Sequence, residues 1–176
     1  GTIHPPAKFL NLASELDMLD SITGAVLDNL CEALPWLDSQ FGTAVTYSIN
    51  VSPAQATKTP FMRKLVQRIA DIGRPQRFLI ELTEETFMAT GVFQSHSLPL
   101  IREAGVGLSI DDFGTGYSSL ATLAEITADE LKVDRSLISA LPLRPRNQDI
   151  LRAIESLATN LGMTVVAEGI ETVEEK

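Results

Sequence analysis

Residues 106–134 read VGLSIDDFGTGYSSLATLAEITADELKVD and contain the pattern that decides the fold. A short run of alternating apolar residues at 106–111 is followed by a glycine-rich turn, a helical stretch at 118–126 and a second apolar run at 130–134. The two short runs have the character of strands, and the segment between them has that of a helix. This strand-helix-strand unit predicts an α/β fold with a parallel sheet.

The same alternation extends along the chain on both sides of this unit. Further strands are predicted at 43–49, 77–83 and 164–168. Helices are predicted at 8–19, 21–34, 60–72, 91–104 and 147–161. Capping signals support three of them, with Ser21 as an N-cap and Gly73 and Gly162 as stop signals. Five strands therefore alternate with helices over most of the chain.

Composition limits the classes of protein that this chain can represent. Its 176 residues fit one domain, and 44% hydrophobic residues with 21% charged residues exclude a disordered tail. The net charge of −9 argues against binding of polymeric nucleic acid, so an anionic ligand would need a metal ion as counter-charge. Cys31, the only cysteine, is expected to pack in the core, and with no apolar run of membrane length we expect a cytoplasmic chain.

Polar side chains come at or just after the end of every predicted strand. They are Asn50, Glu81 with Glu84, Asp111 with Asp112, Lys132 with Asp134, and Glu168 with Glu171. Acidic residues that serve only solubility would be scattered over helix surfaces, whereas the carboxyl ends of parallel strands meet in one site. Carboxylate and amide oxygens from Asn50, Glu81, Asp111 and Glu168 are hard ligands, which predicts Mg²⁺ or Mn²⁺.

Residues 111–119 allow two other interpretations. The triplet Asp112-Phe113-Gly114 is found in the metal-binding loop of kinases, but no glycine-rich phosphate loop and no His-Arg-Asp loop accompany it. The spacing of Gly114, Gly116 and Ser119 is close to a dinucleotide-binding fingerprint, but its last glycine is absent. A kinase is therefore excluded, and the dinucleotide signal is weak.

Taken together, the strand-end motifs resemble those of EAL domains. The matching segments are Asn50-Val51-Ser52 with Gln55, Glu81-Leu82-Thr83-Glu84, DDFGTGYSSL at 111–120, Lys132-Val133-Asp134 and AEGIET at 167–172. The resemblance covers essentially the whole chain. It implies a TIM-like (β/α)₈ barrel and a bacterial phosphodiesterase that hydrolyses cyclic di-GMP to linear pGpG with two Mg²⁺ or Mn²⁺ ions.

The resemblance also assigns roles to individual residues. The implied metal ligands are Asn50, Glu81, Asp111, Asp112 and Glu168. Lys132 matches the catalytic lysine beside the attacking water, Glu171 matches a further acidic residue of the site, and Glu84 matches a glutamate that orders the loop after Asp111. The loop and helix after Asp112, with Leu120, Leu123 and Ile126, are similar to the dimer-forming region of the family.

Departures from the family pattern predict that residues 1–176 are a truncated EAL phosphodiesterase domain. Two N-terminal strands, the second with the Glu-Ala-Leu motif, and the last strand are missing, so five of the eight strands of a TIM barrel are expected. Ser14 and Asp17 also replace the usual Glu and Gly of the first helix. The alternative to an enzyme is an inactive receptor for cyclic di-GMP or a protein-interaction module. The family pattern also allows a sensor or GGDEF-type domain upstream.

Overall fold

The computed structural model describes residues 3–84, 86, 91–115, 127–139 and 145–172. Within these residues, five strands form one sheet in the order in which they occur along the chain, and every neighbouring pair is parallel. They are β1 (Tyr47–Asn50), β2 (Phe78–Thr83), β3 (Gly107–Phe113), β4 (Glu130–Val133) and β5 (Thr164–Ala167). The predicted α/β class is confirmed, and the strand order is that of part of a TIM-like barrel wall.

Helices connect the strands and precede the first of them. They are α1 (Leu10–Glu15), α2 (Leu19–Phe41), α3 (Pro53–Ala56), α4 (Thr59–Asp71), α5 (Leu98–Glu103), α6 (Arg135–Ser139) and α7 (Pro145–Asn160). Short 3₁₀ turns lie at Pro6–Lys8 and Pro75–Arg77, and a π-helical turn at Phe93–Ser97 leads into α5. The helix predicted at 118–126 lies outside the described residues. No described helix combines the length and apolar character needed to cross a membrane.

The N-terminal part of the chain differs from the sequence-based prediction in three ways. Ser21 is not an N-cap, because α2 already begins at Leu19 and continues through Pro35 to Phe41. The first helix is shorter than predicted, since Asp17 adopts a left-handed backbone with φ 54° and interrupts it. The first strand begins at Tyr47 instead of residue 43.

The two faces of the sheet have opposite character. One face is apolar and fully covered, with Ile80, Leu82, Leu108, Ile110 and Leu131 at most 2% exposed. Alternation along the strands turns Glu81, Ser109 and Lys132 to the other face. Because the strands are parallel, this second face collects polar side chains near the carboxyl ends of β2, β3 and β4.

Candidate active site

Lys132 is the centre of the polar cluster at the strand ends. Its Nζ atom lies 2.7 Å from Glu81 Oε1, 3.2 Å from Asp111 Oδ1 and 2.5 Å from Glu168 Oε1. The Glu81 and Lys132 side chains are only 5% and 15% exposed. Ion pairs so poorly exposed to water are weakly screened, so one ammonium group binds three carboxylates strongly.

Strand register explains why these groups meet. Glu81 lies on β2, Asp111 on β3 and Lys132 on β4, and each strand is hydrogen-bonded to the next. Glu168 follows β5 directly, and its backbone N–H donates to the carbonyl of Val133 at 3.0 Å, which extends the ladder by one residue. Each of the four successive strands β2 to β5 thus places one charged side chain at the same end of the sheet, where the four side chains are in contact.

A second grouping of carboxylates overlaps with the first. Asp111, Asp112 and Glu168 each offer an oxygen, and these oxygens lie within 4.8 Å of one another. Asp111 Oδ1 is buried and accepts no hydrogen bond from the described residues, although Lys132 Nζ is at ion-pair distance. A buried carboxylate oxygen without a hydrogen bond, in a trio of hard oxygen donors, fits a Mg²⁺ or Mn²⁺ site.

Burial and neighbouring charges shift the protonation equilibria of the site. Burial raises the pKa of Glu81, and the nearby Asp111 raises it further, while the hydrogen bond from Lys132 opposes the shift. Burial also raises the pKa of Asp112, with further contributions from Asp111, Asp134 and Glu168. Burial opposes the charged form of Lys132, but hydrogen bonds to Glu168 and Glu81 raise the pKa of Lys132 above its ordinary value. The lysine is therefore a permanent cation.

The loop after Asp111 is held by Glu84. Asp112 has a left-handed backbone with φ 56°, an uncommon conformation for a residue other than glycine. Its carbonyl accepts the Thr115 hydroxyl at 2.9 Å, and the buried Glu84 accepts the Gly114 N–H at 3.3 Å. These bonds fix the turn that carries Asp112. A loop-ordering role of Glu84 in catalysis stays a prediction.

The remaining strand-end residues have different surroundings. Asn50 is exposed at the end of β1, in register with Glu81. Glu171 Oε2 accepts a hydrogen bond from Arg135 Nη2 at 2.7 Å, so its carboxylate lies against a guanidinium that the sequence analysis did not consider. Asp134 Oδ1 accepts the N–H of Ser136 at 2.8 Å and caps the start of α6. Hydrogen bonding from the Ser136 side chain and from its N–H lowers the pKa of Asp134. The only sequence signal for this cap is the position of Asp134 just before a helix.

Known proteins resemble this chain in sequence. The sequence model of the EAL domain matches residues 1–176. The protein named cyclic di-GMP phosphodiesterase NbdA, from Pseudomonas aeruginosa, is 36% identical over 97% of this chain, which spans 22% of that relative. The chain spans about a fifth of the length of the first curated relatives that it matches.

Solved structures extend the likeness to the fold. The MucR phosphodiesterase in complex with c-di-GMP has 34% identity and a TM-score of 0.82 over 97% of this chain and 69% of that one. An EAL domain protein from Listeria monocytogenes has 30% identity and a TM-score of 0.83 over 99% of this chain and 68% of that one. With the family match over all 176 residues, these likenesses show that the chain belongs to the EAL domain family and has its TIM-like fold.

Proposed function

We propose that the domain containing these residues hydrolyses cyclic di-GMP to linear pGpG by phosphodiester cleavage that depends on two divalent cations. The observation that carries this proposal is the contact of Lys132 with Glu81, Asp111 and Glu168 at four successive strand ends. The relatives NbdA and RocR, both named cyclic di-GMP phosphodiesterases, support the substrate. The structure of MucR with c-di-GMP supports it as well.

The carboxylates of the site are the groups that would hold the cations. Asp111, Asp112 and Glu168 already place oxygens within 4.8 Å of one another, and Glu81 and Asn50 are the further ligands that the family resemblance implies. Divalent cations held there would neutralise phosphoryl oxygens and lower the pKa of the attacking water. They would also offset the repulsion between an acidic protein and an anionic substrate.

Lys132 supplies a fixed positive charge and hydrogen-bond donors. Because its pKa is raised, it stays protonated and does not act as a general base at neutral pH. Its ammonium group is oriented by Glu81 and Glu168 and can donate to the attacking water or to a phosphoryl oxygen. Glu84 and Gly114 hold the Asp112 turn in place, so the acidic pair at 111–112 is set before substrate binds.

Turnover by a complete EAL domain that contains these residues tests the proposal. The domain is incubated with cyclic di-GMP and Mg²⁺ or Mn²⁺, and the nucleotides are separated by chromatography. We expect pGpG to accumulate, and chelation of the metal with EDTA to stop the reaction. Tight binding of cyclic di-GMP with no pGpG at any metal concentration would instead identify a receptor, which is the alternative function.

Two further properties belong to this proposal. We infer a homodimer formed through the loop and helix after Asp112, including Leu120, Leu123 and Ile126, which lie outside the described residues. Light scattering on the complete domain tests this, and a monomer at every usable concentration contradicts it.

We also infer a cytoplasmic location, on the basis of the single cysteine.

A further inference from the structure

Lys132 and a divalent cation would use two of the same carboxylate groups, those of Asp111 and Glu168. Asp111 and Glu168 belong to the trio whose oxygens lie within 4.8 Å of one another. The same two residues are ion-paired with Lys132, at 3.2 Å through Asp111 Oδ1 and 2.5 Å through Glu168 Oε1. The buried Asp111 oxygen is thus the atom nearest to the ammonium on that residue and also the one that needs another ligand.

We propose that Lys132 is an internal counter-ion whose ammonium group competes with divalent cations for Asp111 and Glu168, and so sets the cation affinity of the site. The inference rests on the proposed function, because it assumes that this site binds metal. It adds a role that is separate from the contribution of Lys132 to the chemical step.

Charge balance requires such a counter-ion when metal is absent. Three carboxylates, those of Glu81, Asp111 and Glu168, contact the ammonium of Lys132, and the Asp112 carboxylate lies beside two of them. Buried carboxylates that lose their partner destabilise a protein strongly, so the lysine allows the metal-free site to fold. A divalent cation brings two positive charges to the same carboxylate groups and repels the ammonium, which must then give up some of its contacts.

The ion pair with Glu81 is the contact that Lys132 can keep when a cation binds. Its Oε1 atom lies 2.7 Å from Lys132 Nζ, but Glu81 is not a member of the trio with converging oxygens. The ammonium can therefore leave Asp111 and Glu168 and stay paired with Glu81 Oε1, while the second oxygen of Glu81 remains available as the metal ligand that the family resemblance implies. A cation that enters the site therefore replaces the ammonium at Asp111 and Glu168. The ion pairs that Lys132 loses there lower the affinity of the site for the cation.

Manganese binding to the 176-residue chain tests the competition directly. Wild type, Lys132→Met and Lys58→Met are titrated with Mn²⁺, and free Mn²⁺ is measured by electron paramagnetic resonance. Lys58 is the matched control, because its Nζ is also paired with two carboxylates, Asp17 at 2.6 Å and Asp20 at 3.5 Å, on the protein surface.

Lys132→Met is expected to bind Mn²⁺ at least about tenfold more tightly than wild type, a difference of about 1.4 kcal/mol. Lys58→Met is expected to bind like wild type. Equal or weaker binding by Lys132→Met overturns the inference, and so does the absence of Mn²⁺ binding by all three proteins. Failure of the proposed function is recognised separately, by the absence of pGpG formation in the complete domain.

A folding measurement covers the case in which Lys132→Met is unstable without metal. Circular dichroism is followed during thermal unfolding with and without excess Mn²⁺. We expect Mn²⁺ to raise the melting temperature of Lys132→Met by more than that of wild type, or to fold the variant if it is unfolded without metal. A variant that stays unfolded at every Mn²⁺ concentration overturns the inference, because the cation then does not replace the ammonium.

Discussion

The side chain of Arg135 lies over Gly169 so closely that a Cβ atom at position 169 would stand 2.7 Å from Arg135 Cγ and 2.9 Å from Arg135 Cβ. Beyond this contact the guanidinium reaches Glu171 at 2.7 Å. Gly169 directly follows Glu168, so the contact ties the start of α6 to the loop that carries a principal carboxylate of the site. Gly169 also has φ 68°, in the left-handed region that favours glycine.

We expect Gly169→Ala to lower the free energy of unfolding by about 2 to 5 kcal/mol. A left-handed backbone costs a residue with a Cβ about 1 to 2 kcal/mol, and overpacking against Arg135 adds about 1 to 3 kcal/mol. Urea unfolding of the chain measures the loss. Gly162→Ala is the control for the backbone cost alone, because Gly162 has φ 79° and no heavy atom within 4 Å of its Cβ position. Equal losses in the two variants would show that the Arg135 contact contributes nothing.

Arg77 joins the end of α2 to the start of the sheet. Its Nε donates to the Val45 carbonyl at 2.8 Å, and its Nη2 donates to Asp38 Oδ1 at 2.6 Å and to the Tyr47 hydroxyl at 3.2 Å. Arg77→Met is expected to lower the urea concentration at the unfolding midpoint. Arg77→Lys is expected to lower it less, because an ammonium group keeps the charge but cannot reproduce the planar fork of donors of a guanidinium. Arg74→Met is the matched control, because Arg74 lies 4.0 Å from the same Asp38 and is exposed. A midpoint lowered as much by Arg74→Met as by Arg77→Met contradicts the prediction.

The ion pair of Arg77 with Asp38 predicts how stability depends on pH. The hydrogen bond and charge of Arg77 lower the pKa of Asp38 from its ordinary value of 3.8, against the opposing effect of burial. A depressed folded-state pKa stabilises the protein above the ordinary value, and this contribution is lost as the pH falls through the folded-state pKa. We therefore expect the stability difference between wild type and Asp38→Asn to be constant above about pH 5 and to shrink in stronger acid. A stability difference between the two proteins that grows below pH 4 would contradict the lowered pKa of Asp38.

Some features of the chain could be predicted from its sequence because they depend on local periodicity. Alternation placed β2 to β5 within about two residues, and β2, β3 and β4 each have buried apolar residues on one face, which makes their pattern clear. Features set by contacts between distant residues were missed. Glu171 pairs with Arg135, 36 positions away, and no spacing in the sequence indicates that pair. The early start of α2 was missed because Met18, its N-cap, makes no side-chain capping bond that a sequence could reveal.

In a complete EAL domain that contains these residues, Glu81→Gln and Lys132→Ala are each expected to lower turnover of cyclic di-GMP about a thousandfold or more. That factor corresponds to about 4 kcal/mol of barrier. Both changes break the buried ion pair at 2.7 Å, which orients the ammonium group. Steady-state formation of pGpG with saturating Mg²⁺ measures the effect. The matched controls are Glu155→Gln, at an exposed position, and Lys58→Ala, at the protein surface, and both should turn over at the wild-type rate. A near-normal rate for Glu81→Gln or Lys132→Ala would show that the substituted residue has no part in the mechanism.

In the part of the chain that the structure describes, the sheet has β1 and β5 at its two edges. Edge strands expose backbone N–H and C=O groups that pair readily with other chains. Aromatic side chains are exposed near β1 as well, with Trp36 and Phe41 in edge-to-face contact at the end of α2 and 60% and 64% exposed. The chain by itself is therefore expected to associate in a concentration-dependent way, which light scattering measures.

Catalysis by this chain alone is expected to be absent. Cation affinity depends on the number and geometry of the ligands, and the ligands proposed for this chain supply too few oxygens for two cations with six or more ligands each. They are Asn50, Glu81, Asp111, Asp112 and Glu168. We expect no appreciable pGpG from the purified 176-residue chain with Mg²⁺ or Mn²⁺, while circular dichroism still shows mixed α/β structure. The complete domain, assayed in parallel, is the positive control. Turnover by the chain alone at about 1 per second or faster, a rate typical of an enzyme, would show that five strands are sufficient for the reaction.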